Sequence, residues 1–590
     1  MEYYSPSHYP FKMVGHVNMM DDVLISNSVP PEYLRSALRV LISQGSSVQQ
    51  PFVRHVRERL LDPKPEFHPA QVLFPGTDEL ATECTTYLAL TRCLFSSKMV
   101  QLSLSYLDHF LCSLCEENAS WIIGSELHKA LGAFAGDIVQ AMQALKETDP
   151  SRDDALKAKL LKLHSSLVKC RHYCEEHEPN ALNYPFQRSE RQVADVVHIL
   201  YPDHPTIDKA VDETFSPLDI SLGEISETFT LGPFEVPRLF NGFWQLSSPA
   251  WGAASSDAQN AALLQLLRSG LVAADMADHY GDAELIYGHF RNHLPPQVKD
   301  KVFAATKWCI FKPIGCEVTD NWVLEAVKER CRRLGGRVEL LQFHWYDYGA
   351  KEYLDILVKL FSVTQTHPEL VSAIGLCNFD SAHTQEACDY LLDKTGTVGL
   401  VSNQIQFSVV DSRPLWKMCS ISAKYGLKLL TYGSFCGGFL SSRWLGQYRP
   451  EMYSASRHLT PSQRKMGETD SASQYLGMIY DWGSWEEFQT LLSTLSTIAE
   501  KHSGLSLTSI AIRWVLQKSS VGAARPSPVI VGTRLGVATH DQDNLTILNL
   551  TLDDDDMKAI DKVALGSNNE KTRMLIESLG DCGNEYRNMH

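Results

Sequence analysis

The sequence predicts an α/β protein: a (β/α)8 TIM barrel that opens on a hairpin and is preceded by an all-α domain. Three observations predict it. At 590 residues the chain exceeds one ordinary domain. Its apolar periodicity changes from helical to strand-like near residue 228. Beyond that point short β-rich runs alternate with helical ones, and eight such units in about 330 residues is the count and length of a (β/α)8 barrel.

Residues 1–30 are polar and aromatic without a clear period and read as a flexible tail. Pro30-Pro31 then opens a helix with Leu34, Leu38 and Leu41 on one face, proline being tolerated in a first turn. Pro63 to Pro75 reads as a loop. From Asp78 to Cys115 the pattern is helical and unusually apolar (Tyr87, Leu94, Leu104, Leu107, Phe110), as one long helix or two. Ser125 to Thr148, Asp153 to His177 and Ser189 to Leu200 are further helices. The all-helical domain is therefore placed at 31–202, followed by a polar linker at 203–227.

The barrel is placed at 228–566. Phe229 to Val236 suggests a hairpin turning at Gly232-Pro233, and Leu239 to Leu246 suggests the first barrel strand. Later strands end near Asp275, Lys307, His344, Cys377, Gln406, Tyr432 and Val531. Helices fill the gaps, among them Trp322 to Arg333, Ser381 to Leu392 and Leu507 to Gln517. The long polar and aromatic stretch Ser434 to Trp485 is expected to overhang the barrel mouth, and 567–590 reads as a C-terminal tail.

Composition narrows the function classes. With 44% apolar and 21% charged residues the chain is globular in type. A formal charge of −16 argues against a nucleic-acid partner, which requires a basic face. No run of about 18 apolar residues occurs, so no membrane span is expected. The opening Met1-Glu2-Tyr3-Tyr4-Ser5 lacks the basic and apolar regions of a signal peptide. Fourteen scattered cysteines in so long a chain fit free thiols in a reducing cytoplasm.

Function in such a barrel sits at the carboxyl ends of the strands. Asp275-Met276-Ala277-Asp278-His279-Tyr280-Gly281 follows the apolar run Leu271 to Ala274, Lys307 closes the run from Val302, and His344 closes the run from Val338. A strand-end Asp alone is commonly a helix cap, a lone Lys is commonly solvated, and a lone His is commonly a satisfied core residue. Four such groups at the ends of three successive strands form a constellation with a chemical purpose.

This constellation resembles that of the aldo-keto reductase superfamily, whose catalytic tetrad is Asp, Tyr, Lys and His. The matching positions are Asp275, Tyr280, Lys307 and His344, and the resemblance runs from about Phe229 to about Gly566. It implies that the opening hairpin closes the barrel's amino-terminal end. It implies that Tyr280 is the general acid and that Asp275 holds Lys307. Lys307 is expected to lower the phenol's pKa from its ordinary value near 10. His344 would orient the carbonyl. The chain has no strand-linked G-x-G-x-x-G. The resemblance implies instead an extended NADP(H) across the barrel mouth, with Trp244 at its edge. Asn378 and Gln404 match the carboxamide positions, Tyr432 the stacking aromatic, and Gly532, Thr533, Arg534 and Asn544 the adenosine-phosphate end, where Arg534 suits a 2′-phosphate.

Two departures stand out. Cys377-Asn378 replaces the family's Ser-Asn, and the stretch from Gly532 to Asn544 is about two residues longer than usual. Trp244, Trp308, Trp345 and Trp444 predict an apolar substrate pocket. Cys112-x-x-Cys115 and Cys170-x-x-x-Cys174-x-x-His177 can supply metal ligands. Both lie in helical patterns, however, where such spacings merely share a face, so no metal is expected. The expected partner is a small carbonyl or alcohol substrate, with a protein partner possible through the helical domain. The rival reading is a nucleotide-binding regulatory subunit on the same fold.

Overall fold

The computed structural model describes residues 30–42, 45–76, 80–148, 150–176, 184–205, 220–224, 227–247, 254–450, 470–518, 528–538 and 540–587. The expected tail at 1–30 and most of the linker at 203–227 lie outside the described residues, as does the middle of the mouth segment at 451–469.

The first part is helical throughout its described residues. The apolar stretch from Asp78 forms two helices, Thr82–Ser96 and Val100–Glu116. The break falls at Lys98, whose left-handed φ of 62° ends the first helix. Glu126–Thr148, Asp154–Glu176 and Gln187–Leu200 follow as expected, and Pro31–Ile42 opens the region. A helix at Ser46–Leu61 was not legible, because Pro51 and a polar composition mask its period. The core joins Tyr87, Phe110, Phe134, Leu163 and Leu167, all buried.

The second part is a closed parallel barrel. Hairpin strands β1 (Thr228–Leu231) and β2 (Phe234–Pro237) precede the eight barrel strands. These are β3 (Leu239–Gly242), β4 (Ala273–Asp275), β5 (Phe303–Ile310), β6 (Val338–Trp345), β7 (Val371–Cys377), β8 (Leu400–Gln406), β9 (Lys428–Tyr432) and β10 (Val529–Gly532). Each pairs with its neighbour in sequence, and β10 closes on β3. The hairpin forms the barrel floor: Phe229, Leu231 and Val236 pack against the inward side chains of Phe240, Ala273, Phe303, Ala305 and Leu340. Two residues further along each strand, the alternation brings Asp275, Lys307 and Gln342 into the same lumen. A dry apolar floor thus carries a polar layer at the carboxyl end.

The helical part docks on the barrel through buried charge. Arg188 binds Asp282, and Arg332 binds Asp195, which also lies 3.6 Å from Arg333. The segment read as a C-terminal tail is instead structured. Glu570–Leu579 is a helix, Thr572 bonds Ser412 at 2.6 Å, and Glu585 receives two bonds of 2.9 Å from Arg413. Apolar Leu575 and Cys582 are buried there, which explains why it folds back.

Candidate active site

β4 delivers Asp275 and β5 delivers Lys307, each almost fully buried. Lys307 Nζ donates to Asp275 Oδ2 at 2.6 Å and to the Met276 carbonyl at 2.8 Å. The second carboxylate oxygen, Oδ1, accepts from Gln342 Nε2 at 2.8 Å and from Gln404 Nε2 at 2.7 Å. Register sets this cross: Lys307 stands opposite Gln342, and Cys309 opposite His344. Gln342 was missed in the sequence, although it lies two residues before His344 and therefore on the same strand face.

Tyr280 follows β4 on a turn, with its amide on the Ala277 carbonyl at 3.1 Å. Gly281, at φ 58°, lets the chain reverse after it into the helix Ala283–Asn292. The half-buried Tyr280 ring lies 4.7 Å from Lys307 Nζ. His344, buried on β6, is 5.3 Å from the Phe311 ring, which also faces His279 at 5.2 Å. The four tetrad positions thus line one mouth.

The electrostatics differ from the expectation. Burial pushes the Tyr280 phenol above its ordinary value, and the Lys307 ammonium pulls it back only in part. Burial opposes the Lys307 charge, but Asp275 and then Tyr280 outweigh it and hold that ammonium raised. Lys307 therefore remains a cation and Tyr280 a protonated phenol. Lys307 lowers the Tyr280 pKa as expected, but desolvation exceeds its field, so the phenol ends above rather than below its ordinary value. Asp278 is the opposite case. Burial would raise it, but Arg330, His279 and the Cys309 amide hold its carboxyl below the usual range.

Asp278, His279 and Cys309 are the one trio among the described residues close enough to share a metal ion. Arg330 already occupies the Asp278 carboxylate, so the trio is better described as an ion pair with neighbours. All fourteen cysteines are free, and Cys115 Sγ lies 3.2 Å from Cys170 Sγ.

Around the predicted nicotinamide end, Asn378 adopts a left-handed φ of 57° and accepts on Oδ1 from the Tyr432 hydroxyl at 2.9 Å. Gln404 spends Nε2 on Asp275 and Gln342, while its Oε1 has no partner among the described residues. Burial raises the Cys377 thiol to about 12, so it stays neutral. The Tyr432 ring meets Tyr586 edge-on at 6.4 Å. Arg587 donates to the Asn378 carbonyl at 2.8 Å and to the Tyr348 hydroxyl at 3.0 Å. These C-terminal groups left no sequence signal, because their role depends on the fold-back.

At the other end a cavity is lined by Gly532, Thr533, Leu535, His540, Asp541 and Asn544. Arg534, in the chain between the lining residues Thr533 and Leu535, is half-buried, with no ion pair among the described residues. The extra residues between Gly532 and Asn544 thus leave both at one cavity. Trp244 is 42% exposed, in a one-turn helix at the mouth. Two other tryptophans do not line the pocket as expected. Trp308 packs on Trp322 and Phe343, and Trp345 is fully buried against Tyr353, both outside the barrel wall. Strand alternation dictates this, since inward Lys307 and His344 force their successors outward. Trp444 packs on Phe439 and Trp485.

The sequence model of the Aldo/keto reductase family matches residues 238–565, and the chain belongs to that family. Family and fold support an oxidoreductase of carbonyl compounds, and the family generally uses nicotinamide cofactors. The chain is 23% identical over 341 residues to the aldo-keto reductase YhdN of Bacillus subtilis (strain 168), which covers 54% of this chain and 92% of that protein. It is 26% identical over 193 residues to flagellar radial spoke protein 5 of Chlamydomonas reinhardtii, covering 30% of this chain and 33% of that one. The chain thus spans about a third of the radial spoke protein. Among solved structures, the glycerol dehydrogenase AKR11B4 from Gluconobacter oxydans is similar at 20% identity, with 61% of this chain and 98% of that one covered and a TM-score of 0.42. Among the described residues no helix is long and apolar enough to cross a membrane.

Proposed function

We propose that the protein is an NADPH-dependent reductase of aldehydes or ketones, acting in the cytoplasm, with Tyr280 as general acid. The buried Asp275–Lys307 pair beneath the Tyr280 ring carries the reading. When bound, reduced nicotinamide supplies the hydride. Asn378 and Gln404 would hold its carboxamide, Tyr432 its ring, and Thr533, Arg534 and Asn544 its adenosine phosphate.

The remaining work belongs to side chains of this chain. Tyr280 holds a proton at Oη because burial keeps the phenol neutral, and it gives that proton to the carbonyl oxygen as charge develops there. Lys307 stabilises the phenolate left behind. Asp275 keeps the ammonium charged, and Gln342 and Gln404 fix that carboxylate. His344 orients the substrate oxygen. The test is NADPH consumption by the full chain with a panel of aldehydes and ketones. Steady turnover with matching alcohol formation is expected. Tight NADPH binding with no turnover on any of them would defeat the reading.

A second reading has its own observation. Tyr586 and Arg587 meet Tyr432 and the Asn378 carbonyl, the groups assigned to the nicotinamide. That arrangement favours a nucleotide-binding regulatory subunit whose turnover is slow. Likeness to a protein named for the flagellar radial spoke supports a protein partner in either reading.

A further inference from the structure

The helical region and the tyrosine turn share one buried ion pair. Arg188, in the first turn of the helix Gln187–Leu200, donates from Nε to Asp282 Oδ2 at 2.9 Å and from Nη2 to Asp282 Oδ1 at 2.6 Å. The same Nη2 reaches the Leu246 carbonyl at 3.3 Å. Asp282 is fully buried and lies two residues beyond Tyr280. Leu246 belongs to the turn Trp244–Ser247, which the Phe243 amide ties to the Asp275 carbonyl at 3.0 Å. One guanidinium from outside the barrel therefore grips the two mouth segments that flank Asp275.

Arg188 is the one cation paired with Asp282 among the described residues. A buried carboxylate stripped of its partner is strongly destabilised, so the turn in this form needs the helical region. A second link runs in parallel. Asp195 binds Arg332, Arg333 binds Glu284 at 2.8 Å, and Glu284 accepts from the Thr306 hydroxyl, next to Lys307. The barrel helices behind these groups have no room to slide, because a Cβ on Gly288 would lie 2.0 Å from the Arg333 carbonyl oxygen.

We propose that Arg188 is a positioning residue for carbonyl reduction: the helical domain completes the active site by clamping the Tyr280 turn to the Trp244 turn. The proposal rests on the reading of Tyr280 as the acid. The clamp holds the Tyr280 turn directly and reaches the adenosine cavity only through Gln245, whose side chain lies beside Gly532, so it acts on turnover more than on nucleotide capture.

The test uses the full chain with Arg188→Ala, Arg188→Gln and Arg188→Lys. Amide exchange in peptides covering Met276 to Tyr287 and Phe243 to Ser247 should quicken about tenfold in the Ala and Gln variants, while the helical core stays protected. The kcat for a substrate aldehyde should fall about tenfold or more while NADPH affinity falls less, since small misplacements of a catalytic group cost that much. Arg188→Lys should recover part of both effects. Wild-type exchange and wild-type kcat in Arg188→Gln would overturn the proposal. Should Arg188→Ala fail to fold, the Gln-to-Lys comparison decides: equal losses in both would mean a structural role only. If the wild-type chain reduces no carbonyl but exchange still answers to Arg188, the reductase reading fails and the clamp stands.

Discussion

The two ends of the barrel mouth are built in opposite ways. At the tetrad end, Asp275 and Lys307 are almost fully buried, and every polar atom of the carboxylate is bonded. At the adenosine end, Gly532 is exposed, Arg534 is half-buried without an ion pair among the described residues, and a cavity stands open beside Asn544. Pre-organised dipoles act on developing charge only if they need not move, so the chemical end is built dry and crossed with hydrogen bonds. On the proposed reading a nucleotide must enter and leave, and its charged end would be met by Arg534, which has no ion pair among the described residues. On that reading the fold places rigidity where a hydride would move and openness where a ligand would exchange.

The largest expected effect falls at the rigid end. Tyr280→Phe should lower reductase turnover by about 10²–10⁴-fold and leave NADPH affinity nearly unchanged. Parallel kinetics and fluorescence titration check it, and wild-type turnover would remove Tyr280 from the acid role.

Lys307→Met tests whether the dry end depends on its charge pair. It leaves the Asp275 carboxylate buried beside two amide donors with no cation, which should destabilise the fold by about 3–5 kcal/mol. A denaturant midpoint equal to wild type would show that Asp275 takes up a proton at no cost.

Arg534→Ala addresses the open end. It should weaken NADPH by about tenfold or more and NADH little, because only NADPH carries the 2′-phosphate. Equal losses would make Arg534 structural.

The pH profiles sharpen the comparison. Burial holds the Tyr280 pKa above its free value, so the donor form persists as pH rises, and reduction should stay flat to about pH 9 and decline only beyond the free phenol value of about 10. A decline beginning near neutrality would mean that Lys307 dominates after all. Asp278 has the opposite sign. Its folded pKa is depressed, so its pair with Arg330 contributes stability above the unfolded value of about 3.9 and loses it as pH falls through the folded one. Asp278→Asn should therefore shift the acid-unfolding midpoint slightly upward.

Much of this was legible in the sequence because it depends on period. The alternation in β4, β5 and β6 carries Asp275, Lys307 and His344 inward, and the hairpin at Gly232-Pro233 announces the floor. Gln342 was equally legible by the same rule. The outward positions of Trp308 and Trp345 follow from it too, although aromatic content alone suggested a pocket. Three features could not be read. The Tyr280 pKa depends on how completely the mouth is desolvated, a tertiary quantity. The C-terminal fold-back joins Arg413 to Glu585 across 172 residues, and Arg188 meets Asp282 across 94. No local pattern encodes a contact at that separation. Domain boundaries remain a proposal of the sequence pattern, with the ion pairs crossing them as the structural counterweight.

The most direct measurement follows one atom. The full chain is incubated with NADPH deuterated at the transferable nicotinamide position and a carbonyl substrate, and the alcohol is analysed by mass spectrometry. The account predicts one deuterium on the carbinol carbon, and about 10²–10⁴-fold slower formation of that labelled alcohol when Tyr280→Phe replaces the wild type. An alcohol without deuterium, or bound NADPH with no alcohol at all, would contradict it.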